Sequence, residues 1–322
     1  MQRLTWFAIA CVGLIGTTMA AAPPEQIVQG LYEGTIKDAK GTHKLEARVV
    51  ATGDQAFKVF IRVPQTGGKV TKLELDGKTE GSAVRFTGKI GGADCKAAYL
   101  AGVIRGAGGA LEMKRILRKP PSLGAKPPAG AIVLIGTNPK TFDEVGARPD
   151  KNGAVGKWVP TDDGGVVVPK RGFDSKRDFD GSFRLHVEFK CPLVAKGRGQ
   201  GRGNSGVYLP CGEEIQVLDS FGMTTYTGGG CGGLYKYKDP DAFDEFSLAS
   251  LPPLEWQTYD ILYRVKKQGG RPAGNPVVTV LHNGIKIHDN HELGKKARRG
   301  RFHFQDHGNP VRYRNIWLVE TK

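Results

Sequence analysis

Helical periodicity is almost missing from this chain of 322 residues; where apolar residues recur, they do so at every second position. That excludes a helical bundle. No segment after residue 22 is apolar enough to span a bilayer, so no transmembrane segment is expected. Cysteine is scarce, and beyond Cys11 only Cys95, Cys191, Cys211 and Cys231 remain. Their spacing matches no zinc pattern. Three disulfide connectivities are open to four cysteines; Cys211 with Cys231 is the favoured pair, and free buried thiols are an equal alternative. Acidic residues are outnumbered, 32 against 47 basic ones, giving a formal net charge of +15. Such a balance suits nucleic acid or an acidic polymer. The tract from Lys196 to Arg202 nevertheless lacks the aromatic interleaving of an RNA-binding segment, so no nucleic-acid partner is expected. Lys295 to Arg301 reads as a solvated basic loop, and loose attachment to acidic surface polysaccharide stays open.

The chain has length enough for about two domains. Residues 1–22 have a charged start at Arg3, an apolar middle and a small-residue end, the pattern of a secretory signal peptide. Export to a periplasmic or extracellular location is therefore expected. A lipid-modified Cys11 is the weaker alternative, because Ala8-Ile9-Ala10 makes a poor lipobox. Residues 119–130, KPPSLGAKPPAG, suit a semi-rigid linker. It separates a small accessory β-domain, residues 23–118, from a larger unit, residues 131–322. In the first, Phe57, Val59, Ile61 and Val63 alternate as in an antiparallel barrel or sandwich, without a grouping of catalytic residue types. In the second, Phe183, Leu185, Val187 and Phe189 form an apolar face and leave Arg184, His186 and Glu188 on the other. Asn283-Gly284 marks a tight hairpin, and Phe302 and Phe304 point opposite to His303 and Gln305. Because their strand neighbours alternate with large apolar residues, Arg184, His186 and Glu188 are expected to face the same cleft as Gln305 and His307. Many short antiparallel strands over this length imply an all-β fold, a jelly-roll β-sandwich behind the small antiparallel β-domain.

Chemistry concentrates in GRGNSGVYLPCGEEIQVLDS, residues 201–220. Strand alternation places Glu214 and Gln216 on one face and Ile215, Val217 and Asp219 on the other. A bulge near Val217 and Leu218 would turn Asp219 onto the Glu214 face, giving the two carboxyls that glycosidic chemistry often uses. The plainer alternative is a strand that ends at Asp219.

Six ordered segments carry a resemblance: RGQGRGNSGVYL (198–209), EIQVLDSFG (214–222), CGGLY (231–235), PPLEWQTYDI (252–261), VTVLHNGIKIHD (278–289) and FQDHGNPVRYRNIWL (304–318). Together they resemble the 3-keto-disaccharide hydrolase family, long called a domain of unknown function, over nearly all of residues 131–322. The resemblance implies a concanavalin A-like jelly roll with a sugar site on one face. Gln216 stands where glucanases of that fold carry an acid, which weighs against double displacement. Phe304 replaces a usual aliphatic residue, and the loop from Gly294 to Arg301 is unusually basic. In the implied chemistry, a partner glycoside 3-oxidoreductase makes the C3 ketone. A base then removes the C2 proton as the C1 substituent departs, and water adds. Glu214 is the candidate base, with His307 or Asp219 as acid. Gln216 and Gln305 are candidate donors to the enolate oxygen. Asn204, Tyr208, Tyr235 and Glu188 are further candidate substrate contacts; Asn204 has a turn-capping alternative, and Glu188 an alternative as partner of Arg184 or Arg314. No cofactor is certain; a divalent metal is possible, with no ligand spacing that demands one. Two other functions stay open: a noncatalytic carbohydrate-binding protein, and a retaining glycosidase acting on unmodified glycosides through Glu214 and Asp219.

Overall fold

The structure is a computed structural model that describes residues 24–223, 225–241 and 249–321. The expected signal peptide and Cys11 lie outside the described residues. Among the described residues no helix is long and apolar enough to cross a membrane.

Eight antiparallel strands form the first unit: β1 (Gly30–Asp38), β2 (Gly41–Gly53), β3 (Ala56–Pro64), β4 (Val70–Glu80), β5 (Ala83–Ile90), β6 (Ala93–Leu100), β7 (Val103–Gly106) and β8 (Leu111–Ile116). β8 returns to pair with β1, Leu31 opposite Ile116, so the sheet closes into a barrel without free edges. The alternation in β3 fills it, with Phe57, Val59, Ile61 and Val63 all buried beside Leu75, Val84 and Phe86.

The second unit is a two-layer sandwich. Its strands are β9 (Ile132–Ile135), β10 (Val145–Ala147), β11 (Val159–Pro160), β12 (Val166–Val167), β13 (Phe173–Ser175), β14 (Ser182–Lys190), β15 (Ser205–Tyr208), β16 (Glu214–Val217), β17 (Gln257–Gln268), β18 (Arg271–His282), β19 (Ile285–Glu292), β20 (His303–Phe304) and β21 (Arg312–Thr321). One sheet runs β10-β13-β20-β15-β16; the other runs β11-β12-β21-β14-β17-β18-β19, with β9 also on β21. The hairpin between β18 and β19 turns at Asn283 and Gly284, both at positive φ, as a two-residue turn of this hand requires. Phe183, Leu185, Val187 and Phe189 from one sheet and Phe173, Val207, Ile215, Val217 and Phe304 from the other make a common core. The polar groups it encloses are paired across the layers: Tyr259 donates to the Gln216 carbonyl at 2.7 Å, and the hydroxyls of Ser205 and Tyr313 lie 2.7 Å apart.

All four described cysteines are free and buried, so the favoured Cys211–Cys231 disulfide is not formed. The Cys231 thiol lies 3.1 Å from the Tyr259 hydroxyl, and burial pushes it up to about 11, which keeps it protonated and unreactive.

The proline-rich linker is strapped across the outer face of the larger sheet. Ser122 donates to Asp260 at 2.5 Å, the Gly124 amide to Glu188 at 2.6 Å, and the Ala125 carbonyl accepts from Asn315 at 2.9 Å. This overturns the expectation that Arg184, His186 and Glu188 share a cleft with Gln305 and His307. With Phe183, Leu185, Val187 and Phe189 in the core, their neighbours must face outward on the sheet opposite to Gln305.

Glu188 is instead a fastening point. Its buried carboxylate also accepts from Arg314 at 2.7 Å and Asn315 at 2.8 Å, with His186 at 3.5 Å. Burial alone would raise its pKa, but His186, Asn315, the Gly124 amide and Arg314 outweigh it and hold the group down at about 2. The stability it contributes is therefore fully present above about pH 4.5 and is lost as pH falls through about 2. We expect Glu188→Gln to cost on the order of 3 kcal/mol at neutral pH. Denaturant midpoints across pH check this: the gap to the native protein should narrow between pH 4.5 and 2, and a gap independent of pH would contradict it.

Candidate active site

The smaller sheet carries a polar row across its outer face. Pairing sets Asp174 opposite His303, His303 opposite Tyr208, and Tyr208 opposite Glu214, on β13, β20, β15 and β16 in turn. Directly opposed residues on adjacent strands bring their side chains into contact range. The apolar alternates, Phe173, Phe304, Val207 and Ile215, fill the core beneath, so the row is fixed by the same period-two pattern that builds the sandwich.

The contacts run along that row. Asp174 Oδ1 is 2.7 Å from His303 Nδ1, which leaves Nε2 as the second nitrogen of the ring. The His303 ring lies against Tyr208 with centroids 5.2 Å apart. The Tyr208 hydroxyl donates to Glu214 and accepts from Gln305 Nε2 at 3.2 Å. Burial raises the Glu214 pKa against the opposing pull of Tyr208, Lys295 and His303, and burial together with Glu214 raises Tyr208. The Glu214 carboxylate lies directly over Gly206: a Cβ there would come within 2.1 Å of Oε1. Only glycine leaves room for it.

Amides surround the other end. Gln216 Nε2 donates to Gln200 Oε1 at 2.8 Å, and Asn204 Nδ2 donates to Gln200 O and Oε1 at 2.9 and 3.1 Å. Asn204 Oδ1 is buried with no partner. The Tyr235 and Tyr226 hydroxyls lie 2.9 Å apart at the exposed rim, and the Tyr235 amide donates to the Glu214 carbonyl. Beside the row opens a cleft of about 670 Å³ whose walls include Tyr208, His303, Gln305 and Asp174.

Glu214, Tyr208, Gln305, Gln216, Asn204 and Tyr235 therefore come together. Three anticipated residues do not. Glu188 is on the far sheet. Asp219 is buried, its Oδ2 2.7 Å from Arg202 Nη2 and its charge felt by Cys191 and Cys231. No bulge intervenes before it, since β16 ends at Val217, and the carboxylate stays off the Glu214 face. His307 is exposed in the turn after β20, and its ring has no hydrogen-bond or ion-pair partner among the described residues. His303, set by strand alternation on the face of Gln305 and given no role from sequence, takes the place beside Tyr208 with its partner Asp174. The alternation of Phe302, His303, Phe304 and Gln305 was the available signal for His303. Among the described residues no group of three or more His, Cys, Asp or Glu side chains is placed to hold a metal ion.

A β-sandwich bearing a carboxylate, phenol and imidazole row beside an open polar cleft suits a carbohydrate-active, glycoside hydrolase-like enzyme, the class that the chain's family and a solved relative support. Residues 138–319 match the family of 3-keto-alpha-glucoside-1,2-lyase-like domains, and the chain belongs to that family. Among solved structures, it is similar to a protein of Parabacteroides distasonis ATCC 8503 described provisionally as a glycosyl hydrolase. The two share 32% identity over 60% of this chain and 85% of the other, with a TM-score of 0.50. No curated protein matches.

Proposed function

We propose that this protein cleaves 3-keto-glycosides by elimination across C1 and C2, followed by hydration. The observation that carries the reading is the Asp174–His303–Tyr208–Glu214 row, which sets a buried carboxylate and an imidazole on one face. Glu214 takes the C2 proton, which the neighbouring ketone acidifies. The electron pair left on C2 forms the C1=C2 bond as the C1–O bond breaks. His303, oriented by Asp174, supplies the proton to the departing oxygen. Tyr208 holds Glu214 in place, and Gln305 and Gln216 are the donors nearest to a developing enolate. Water then adds its hydroxyl to C1 and a proton to C2, releasing a free 3-keto sugar. A glycoside 3-oxidoreductase must supply the ketone. The protein acts after export.

Asp219, the second carboxylate proposed for double displacement on unmodified glycosides, is buried against Arg202, which disfavours that route. The test is incubation with a 3-keto-disaccharide and with its parent in D₂O, alongside an enzyme-free control. Keto-selective turnover with deuterium entering C2 is expected. Binding without turnover, or equal turnover of the parent, would refute the reading.

A further inference from the structure

The cleft beside the polar row is lined by four arginines, Arg148, Arg171, Arg298 and Arg301, against two carboxylates. Two of the four guanidiniums are engaged: Arg148 Nε is 3.4 Å from Asp174, and Arg301 Nε is 3.2 Å from Asp178. Arg171 and Arg298 have no carboxylate within ion-pair distance among the described residues. Arg298 is held by backbone instead, its Nε on the Pro210 carbonyl at 3.3 Å and its Nη2 close over Gly212. The two acids in the cleft are already occupied. Asp174 serves His303 and Arg148, while Asp306 accepts from the Arg171 and Gly308 amides at 2.8 and 2.9 Å.

The backbone at Arg171 adds a second, independent sign. Residues 169–172 form a turn closed by the Gly172 amide on the Pro169 carbonyl at 2.8 Å, and Arg171 sits third in it at φ 72°. Glycine or asparagine takes such a position at little cost, whereas a long side chain is strained there. A cation is nevertheless placed there, with its own amide tied to Asp306 at the cleft.

We infer that Arg171 and Arg298 form an anion subsite, and that the sugar taken by this protein carries a carboxylate, phosphate or sulfate group. The inference rests on the cleft being the sugar site proposed above. Planar guanidiniums pair with such groups through two parallel hydrogen bonds, and in a cleft this attraction is less screened than on open surface.

Binding, not turnover, decides it. Calorimetry on the full chain would compare methyl glucuronoside and glucose 6-phosphate with methyl glucoside and with inorganic phosphate, at low and physiological salt. At least one anionic sugar should bind tenfold or more tightly than methyl glucoside and than free phosphate, and weaken with salt. In Arg171→Gly with Arg298→Gln that preference should vanish. The glycine relieves the positive φ, so melting should be unchanged or raised, and a correctly folded variant is expected. Equal binding of neutral and anionic sugars, equal binding of free phosphate, no binding of any anionic sugar, or a preference surviving in the double variant would each overturn the inference. If instead the keto-glycoside reading fails, turnover is absent while the anion preference stands, so the two failures are distinguishable.

Discussion

Glu214→Gln should lower turnover of a 3-keto-glycoside by roughly a hundred- to ten-thousand-fold, the usual contribution of a positioned general base. Glutamine keeps the volume above Gly206 and still accepts from Tyr208, so substrate affinity should be nearly unchanged. What is lost is an acceptor for the C2 proton. Because burial raises the Glu214 pKa above its ordinary 4.5, the carboxylate is a stronger base than an exposed one, and the rate should climb with pH through that raised value. Steady-state rates of Glu214→Gln, Glu188→Gln and Asp219→Asn, each normalised to folded protein, provide the comparison. The collapse is expected in the first alone. Normal turnover by a folded Glu214→Gln protein would remove Glu214 from the mechanism, and a collapse confined to Asp219→Asn would move the role there.

Period-two patterning made much of this structure legible. It separated Phe183, Leu185, Val187 and Phe189 from their outward neighbours and Glu214 and Gln216 from Ile215 and Val217, as the burial of those apolar residues shows. It could not say which outer face a strand presents, because a two-layer sandwich has two of them. Glu188 was joined to Gln305 for that reason, although β14 and β20 belong to different sheets. Nor does local sequence reveal that His303 is held by a residue as distant as Asp174, since such register is set by long-range pairing through Phe173 and Phe304. The linker's composition spoke for stiffness; its role as a strap depends on partners at Asp260, Glu188 and Asn315 that only the folded sheet gathers. Asp219 lies beyond the last strand residue, Val217, so of the two readings open from sequence the strand that simply ends is the one the fold bears out, without the bulge.

Arg202→Leu should destabilise the sandwich by about 3–5 kcal/mol, the cost of leaving a buried charge without its partner. Both side chains of the Arg202–Asp219 pair are 0% exposed, so solvent cannot take over when one is removed. The pair also ties two loops: the Asp219 amide donates to the Arg202 carbonyl at 3.0 Å, Asp219 Oδ1 accepts from the Phe221 amide, and Arg202 Nη1 donates to the Ala195 carbonyl. Asp219→Asn strands the guanidinium instead and should also destabilise. Replacing both, Arg202→Leu with Asp219→Leu, should recover most of the loss, because an apolar pair of fitting volume avoids desolvating two charges. Urea midpoints with constant slopes would measure all three. If Arg202→Leu fails to fold, recovery in the double variant still decides the matter. A loss below about 1 kcal/mol, the range of solvent-exposed pairs, would show that the two charges are not interdependent. Equal losses without recovery would place the stabilisation in the loop hydrogen bonds that Arg202 and Asp219 make separately.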